Sequence, residues 1–166
     1  MLKIFIMTIV FSVEILSSIV LAKPRVTVLE MDVQQNIEDA TKLSDLASDL
    51  VDESLFNSGK FVVLVPYKYF DDLKEENPEY SNKTLDADYV VISQLIIEPV
   101  SKKHKITHHI DFVQDDIVIW NGEVSRKVNL NKLNRDDKYN VIHKLTNKVM
   151  KKFFKSIDSG KIILKE

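Results

Sequence analysis

Three histidines and an aspartate lie close together in the sequence: His104, His108, His109 and Asp111. Imidazole and carboxylate groups bind zinc, but a zinc site needs three or four of them converging on one point. The alternation of apolar and polar residues around them predicts a strand, on which His104 and His108 stand roughly 13 Å apart. We therefore predict no metal site and interpret the three as surface histidines of an edge strand. A site built on His108 and His109 would need a carboxylate from a loop.

No other segment carries the signature of a catalytic or cofactor site. Ser58-Gly59-Lys60 lacks the upstream glycine and the following Ser/Thr of a phosphate-binding loop, and is typical of a helix end leading into a strand. The adjacent acids Asp71-Asp72 and Asp115-Asp116 point in different directions and suit a helix start and a turn. There is no cysteine and no Gly-x-Ser-x-Gly segment. We predict no enzyme, no catalytic residue and no cofactor, although a triad assembled in space would leave no such signature.

Aromatic residues form the preferred candidate surface for a protein partner. A loop region after the second predicted strand is rich in them, and loops carry function more often than cores do. The only tryptophan, Trp120, is interpreted first as sheet packing and alternatively as an exposed anchor for a partner, because Trp is over-represented in interfaces. The predicted partner-binding residues are Tyr67, Tyr69, Phe70, Tyr80 and Trp120.

The N-terminal segment, residues 1–22, is typical of a secretory signal. Lys3 gives a short positive start, residues 4–13 are apolar, and cleavage is expected near Ala22. An uncleaved membrane anchor is the alternative, because the segment is about long enough to span a bilayer. A carboxylate such as Glu14 is unfavourable in the middle of a signal segment and of a membrane anchor alike. In both cases the rest of the chain lies outside the cytoplasm, so we expect a periplasmic or secreted protein.

Composition indicates one ordinary globular domain. The 166 residues are 45% hydrophobic and carry a formal net charge of −2. A nucleic-acid-binding protein would show a strong basic excess, so that class of partner is disfavoured. We divide the chain into a signal segment at 1–22, one α/β domain at 23–158 and a C-terminal tail at 159–166.

Hydrophobic periodicity predicts elements in the order β-α-β-(short α)-β-β-β-α, and the family resemblance described below implies that they form an α/β sandwich with a mixed sheet and helices packed on it. Residues 87–97 form the densest apolar, β-branched run, which is typical of a central strand buried on both faces. Apolar spacing from Leu43 to Leu55 predicts a helix that Gly59 ends, and the strand after it implies a parallel pair with a right-handed crossover. The remaining elements are strands near 25–32, 61–65, 104–113 and 117–120, a short helix at 69–76 and a long helix at 135–157.

The dipeptide Asn121-Gly122 allows two interpretations. Asn-Gly between apolar runs is a strong hairpin signal. The strand could instead continue through it to Val128, with the glycine marking a bulge. We favour continuation, because the family described next has a continuous strand at this place.

The order of these motifs resembles a superfamily of periplasmic domains that includes LpoB-type penicillin-binding-protein activators, CsgG-type curli secretion proteins and TolB N-terminal domains. The resemblance covers nearly all of residues 25–155. It rests on a series of five segments, which are the strand from Arg25 to Asp32, the helix from Leu43 to Phe56, Asn57-Ser58-Gly59-Lys60-Phe61-Val62-Val63-Leu64, Asp86-Ala87-Asp88-Tyr89-Val90-Val91-Ile92-Ser93 and Ile117-Val118-Ile119-Trp120-Asn121-Gly122-Glu123-Val124.

This resemblance implies a secreted, non-enzymatic module of the cell envelope that binds a protein partner, such as a penicillin-binding protein. The alternative is an accessory subunit of an outer-membrane secretion or transport apparatus, similar to CsgG or TolB. The chain departs from the family in lacking the cysteine of a lipoprotein, in having Ser93 where a glycine is usual, and in having no segment long enough for membrane-spanning hairpins.

Overall fold

A computed structural model describes residues 22–30, 40–64 and 87–165. In chain order the elements are β1 (Arg25–Glu30), α1 (Ala40–Ser58), β2 (Val62–Val63), β3 (Tyr89–Val100), β4 (Lys103–Gln114), β5 (Ile117–Val128), a 3-10 turn (Leu130–Lys132) and α2 (Arg135–Asp158). The predicted short helix at 69–76 lies outside the described residues. No helix in the described ranges is long and apolar enough to cross a membrane.

The five strands form one mixed sheet in the order β2-β1-β3-β4-β5. β1 is parallel to both β2 and β3, whereas β3, β4 and β5 pair antiparallel. The crossover from β1 through α1 to β2 joins a parallel pair, as predicted. β3 lies in the middle of the sheet, which confirms the central strand. The predicted fold class, a mixed sheet with helices packed on it, is confirmed.

The face of the sheet that the helices cover carries an aromatic core. Tyr89 of β3 stacks on Phe112 of β4 with ring centroids 4.7 Å apart, and Phe112 meets Phe153 of α2 at 4.9 Å. Phe61, just before β2, lies 6.3 Å from Phe153. The other end of this face is aliphatic and includes Leu43, Ala47, Leu95, Ile97, Ile106 and Leu145. The helices are therefore held to the sheet along its length by apolar burial.

β3 is buried on both faces only at its start, from Tyr89 to Val91. Val90 packs with Leu29 and Val113 on the face away from the aromatic core, while Tyr89 and Val91 belong to that core. From Ile92 to Ile97 half-buried and buried residues alternate, and Glu98 and Pro99 are exposed. The prediction of a strand buried on both faces over its whole length is therefore too broad.

β5 is continuous through Asn121-Gly122, so the hairpin interpretation is wrong. Gly122 pairs regularly with Ile110, and the irregularity falls instead at Ile119, which has no partner between the pairs of Val118 and Trp120. A Cβ on Gly122 would lie 2.5 Å from Cη2 of Trp120. The glycine is needed because the indole ring lies across it.

The helix ends follow the sequence closely. Asn134 caps α2 by accepting a hydrogen bond from the backbone N–H of Asp137 at 2.8 Å. Gly59 and Gly160 follow the two helices with φ of +66° and +71°, which glycine adopts without steric cost. After α2, Ile162 is buried against the aromatic core, and Lys165 pairs with Asp115 at 2.7 Å.

Candidate functional site

His108 lies at the centre of a buried polar network on the helix-covered face. Its Nε2 is 3.0 Å from the Ser93 hydroxyl of β3, and its Nδ1 is 3.0 Å from the Thr146 hydroxyl of α2. His108 and Thr146 are fully buried, and Ser93 is 1% exposed. The interpretation of all three histidines as surface residues of an edge strand is therefore wrong. β4 is an inner strand because β5 covers its outer side, and the alternation turns His108 towards the helices.

The histidine of this network is neutral. Burial, and then the neighbouring His109, lower the pKa of His108 from 6.5 to about 4. A neutral imidazole has one donor and one acceptor nitrogen, and hydroxyls can serve both. Neither hydroxyl reaches solvent, so the arrangement has no accessible nucleophile. It joins β3, β4 and α2 in the way a structural core network does.

His109 points to the opposite face of the sheet, beside two carboxylates. Its Nε2 lies 3.0 Å from Asp111 Oδ1, and its Nδ1 lies 4.0 Å from Glu123 Oε2 on β5. His109 and Glu123 are directly opposite each other across the strands. Within the described ranges, no group of three or more such side chains is arranged to hold a metal ion.

The other candidates for chemistry occupy structural positions. Asp115 and Asp116 form the β4–β5 turn with φ of 48° and 63°, as expected of the residues of a tight hairpin turn. Lys60 forms an ion pair with Asp158 at 3.0 Å, which ties the end of α1 to the end of α2. Asp71-Asp72 lie outside the described residues.

Trp120 is the one predicted partner-binding residue that the structure describes. It is half-buried, its ring centroid lies 5.1 Å from that of Phe153, and its Nε1–H donates a hydrogen bond to the Ser156 hydroxyl at 3.1 Å. Tyr67, Tyr69, Phe70 and Tyr80 lie outside the described residues. The structure therefore does not bring the five together, and their partner-binding role stays a prediction.

The outer edge of β5 is the surface that sequence reasoning missed. β5 is twelve residues long and has β4 as its one neighbouring strand in the described part of the chain. Its first three residues expose large apolar side chains, with Ile117 66%, Val118 47% and Ile119 37% exposed. At Glu123 the edge is protected, because Lys152 of α2 donates a hydrogen bond to the carbonyl oxygen at 2.9 Å. The apolar edge of β5, residues 117–119, has no such protection from the residues that the structure describes.

The described residues therefore form an α/β sandwich, in which two helices pack on a mixed sheet of five strands. No family model and no curated protein matches the chain. Among solved structures, a PelC dodecamer from Paraburkholderia phytofirmans with one leucine replaced by methionine aligns with a TM-score of 0.51 and 15% identity over 78% of this chain and 88% of that one. A second PelC dodecamer structure from the same organism gives 0.50 and 14%, covering 78% of this chain and 87% of that one. The LpoB C-terminal domain from Salmonella enterica gives 0.37 and 18%, covering 66% and 86%. At these identities, the PelC likeness shows a shared fold.

Proposed function

We propose that this protein is a secreted, non-enzymatic module of the cell envelope that acts by binding another protein. The observation that carries the proposal is the apolar edge of β5. Three β-branched side chains face solvent there, on a strand whose outer side has no neighbour in the described part of the chain. The signal-like segment at 1–22 and the resemblance of residues 25–155 to periplasmic domains support the envelope location.

An edge strand of this kind suits a partner that adds a strand of its own. The partner gains backbone hydrogen bonds along β5, and pockets for alternate side chains give specificity. Covering the exposed half of a Val or Ile side chain contributes about 1 kcal/mol, half of what complete burial would give. The protected centre of β5, where Lys152 holds Glu123, limits pairing to the apolar end.

The specific role follows from the resemblance to penicillin-binding-protein activators. Docking on a larger envelope protein, such as a penicillin-binding protein, shifts the conformational equilibrium of that partner and thereby regulates peptidoglycan synthesis. The aromatic segment with Tyr67, Tyr69, Phe70 and Tyr80 is a second contact surface in this proposal. Trp120 adds its half-exposed indole.

A matched pair of valine substitutions tests the apolar edge. Val118 on β5 and Val62 on β2 lie at opposite edges of the sheet and are 47% and 46% exposed. We expect Val118→Lys to abolish capture of the partner from envelope extracts, because the new charge must be desolvated in the interface. Val62→Lys should leave capture intact. Recovery of no stable partner by the wild-type protein would count against the whole proposal.

A subunit role in an outer-membrane secretion or transport apparatus is the second candidate. The likeness to PelC, which was solved as a dodecamer, favours it. This role predicts ring-sized particles or association with membrane fractions. Light scattering that shows smaller species only, together with absence from membranes, would exclude it.

A further inference from the structure

The exposed surface of α2 is strongly basic. No acidic residue occurs between Asp137 and Asp158. The exposed lysines of this interval recur at helical spacing, so they line one side of the helix: Lys144, Lys148, Lys151, Lys152 and Lys155. Lys152 bonds to β5, which leaves the others directed to solvent or to the space between the helices.

The exposed surface of α1 is acidic. Lys42 is its only basic residue, and its acidic residues are Asp45, Asp49, Asp52 and Glu53. Asp49 and Glu53 are exposed, four residues apart on one side of the helix. Three residues beyond Glu53, Phe56 is 71% exposed. The acidic row therefore ends in a large apolar side chain.

A groove of about 780 Å³ separates the two helices on their outer side. Leu50, Met150 and Phe154 give it an apolar lining, Lys151 and Lys155 line its α2 side, and the carboxylates Glu53 and Asp158 line it as well. The groove is therefore apolar and carries charges of both signs. Phe56 of α1 does not line it and is exposed beside it.

The two helices run in the same direction. Lys60, just after α1, pairs with Asp158 at the end of α2, so the C-terminal ends lie together. The buried sides of the helices follow the same direction, since the cluster that holds Leu43 also holds Ile142, and the cluster that holds Leu55 also holds Phe153. Asp49 and Glu53 are therefore about level with the interval that holds Lys144, Lys148 and Lys151, and Phe56 is about level with Phe154.

We propose that the outer surface of the helix layer is a self-association surface, on which α1 of one copy packs against α2 of a second copy. A two-fold axis running along the groove, parallel to the helices, places each acidic row over the basic row of the other copy at the same height. Such an interface is isologous, since the same patch is used on both copies. Phe56, which is exposed on α1, then packs against α2 of the other copy.

The electrostatic state of Asp52 agrees with this pairing. Burial, and then Asp49, raise the pKa of the Asp52 carboxyl to about 7, and one of its oxygens is buried with no hydrogen-bond partner in the described part of the chain. The carboxylates of α1 thus repel one another within a single copy. Lysines from a second copy relieve that repulsion.

Charge reversal with cross-rescue tests the proposal, and it does not depend on β5. The first variant combines Asp49→Lys and Glu53→Lys, and the second combines Lys148→Glu and Lys151→Glu. All four positions are exposed, and a cooperative thermal unfolding transition would show that both variants fold. We expect a wild-type dimer in sedimentation experiments that weakens with added salt, because interactions between exposed charges are screened. Each variant should raise the dissociation constant about a hundredfold at low salt.

Mixing the two variants in equal amounts is the decisive step. Both contacts of the mixed dimer are again between opposite charges, so dimers should reappear at concentrations at which each variant alone is monomeric. A wild-type protein that is monomeric at every concentration at low salt would overturn the proposal, and so would a mixture that stays monomeric. Phe56→Ser should weaken the dimer without changing charge, whereas Ile163→Ser, at a residue 82% exposed outside the helices, should not.

Discussion

The buried histidine makes the stability of the fold depend on pH in a way that can be calculated. His108 is fully buried between Ser93 and Thr146, and its folded-state pKa is about 4 against 6.5 for an ordinary histidine. The unfolded chain therefore binds a proton at pH values where the folded chain does not. The contribution of neutral His108 to the free energy of unfolding is fully present above pH 6.5, is lost as the pH falls from 6.5 to 4, and changes little below pH 4.

The magnitude follows from the size of the shift. One pKa unit corresponds to 1.36 kcal/mol, so the complete loss is about 3 kcal/mol. At pH 4.5 most of it, roughly 2.5 kcal/mol, is already gone. A loss of this size is a large fraction of the unfolding free energy of a single domain, which is about 5–15 kcal/mol.

Urea unfolding of the wild type and of His108→Gln between pH 7.5 and 4.5 measures this pH-dependent contribution of His108 to stability. Glutamine can still bond to both hydroxyls but does not titrate, so it removes the pH dependence of this one site. The carboxylates titrate equally in both proteins and cancel in the difference. We expect the wild type to lose about 2.5 kcal/mol more than the variant on going to pH 4.5. Parallel pH profiles would refute the assignment of a neutral, buried His108.

Three further substitutions have defined outcomes. Val91→Asp places an unpaired charge at a core position that is 1% exposed, so the domain should fail to fold, and a soluble variant with an unchanged melting temperature would contradict the core assignment. Gly122→Ala should cost roughly 1–3 kcal/mol in urea unfolding, because its Cβ displaces the Trp120 ring, and this cost should shrink in a Trp120→Leu background. Asp52→Asn should raise the melting temperature at pH 8 and change it little at pH 3.5, because the raised pKa of Asp52 destabilises the fold only as the pH rises from 3.8 through about 7. After discounting for solvent screening, the gain in stability at pH 8 is about 1–2 kcal/mol. An equal effect at both pH values would contradict the raised pKa.

The central part of the fold is readable from the sequence because local patterns determine it. The apolar run from Tyr89 to Ile97 marks the middle strand, and the spacing from Leu43 to Leu55 followed by Gly59 marks a helix and its end. The break in β-strand register is not readable in this way. Gly122 suggests a turn or a bulge, yet the glycine serves the Trp120 ring and the bulge falls at Ile119.

The candidate site depends on strand order, which a single sequence does not reveal. His108 lies at every second position with Ile106, Ile110 and Phe112, so the alternating pattern already indicated that its side chain faces the core. What hid its burial was the assumption that β4 lies at an edge. The same assumption hid the exposure of Ile117, because the edge belongs to β5.

Site-specific photo-crosslinking in the cell envelope tests the central claim most directly. A photoreactive residue is placed at Val118, on the apolar edge of β5, or at Val62, on the opposite edge of the sheet. We predict a discrete covalent adduct with another envelope protein from position 118 and none from position 62. Adducts of equal yield from both positions, no adduct from position 118, or an adduct only with a second copy of this chain would contradict a partner-binding edge at β5.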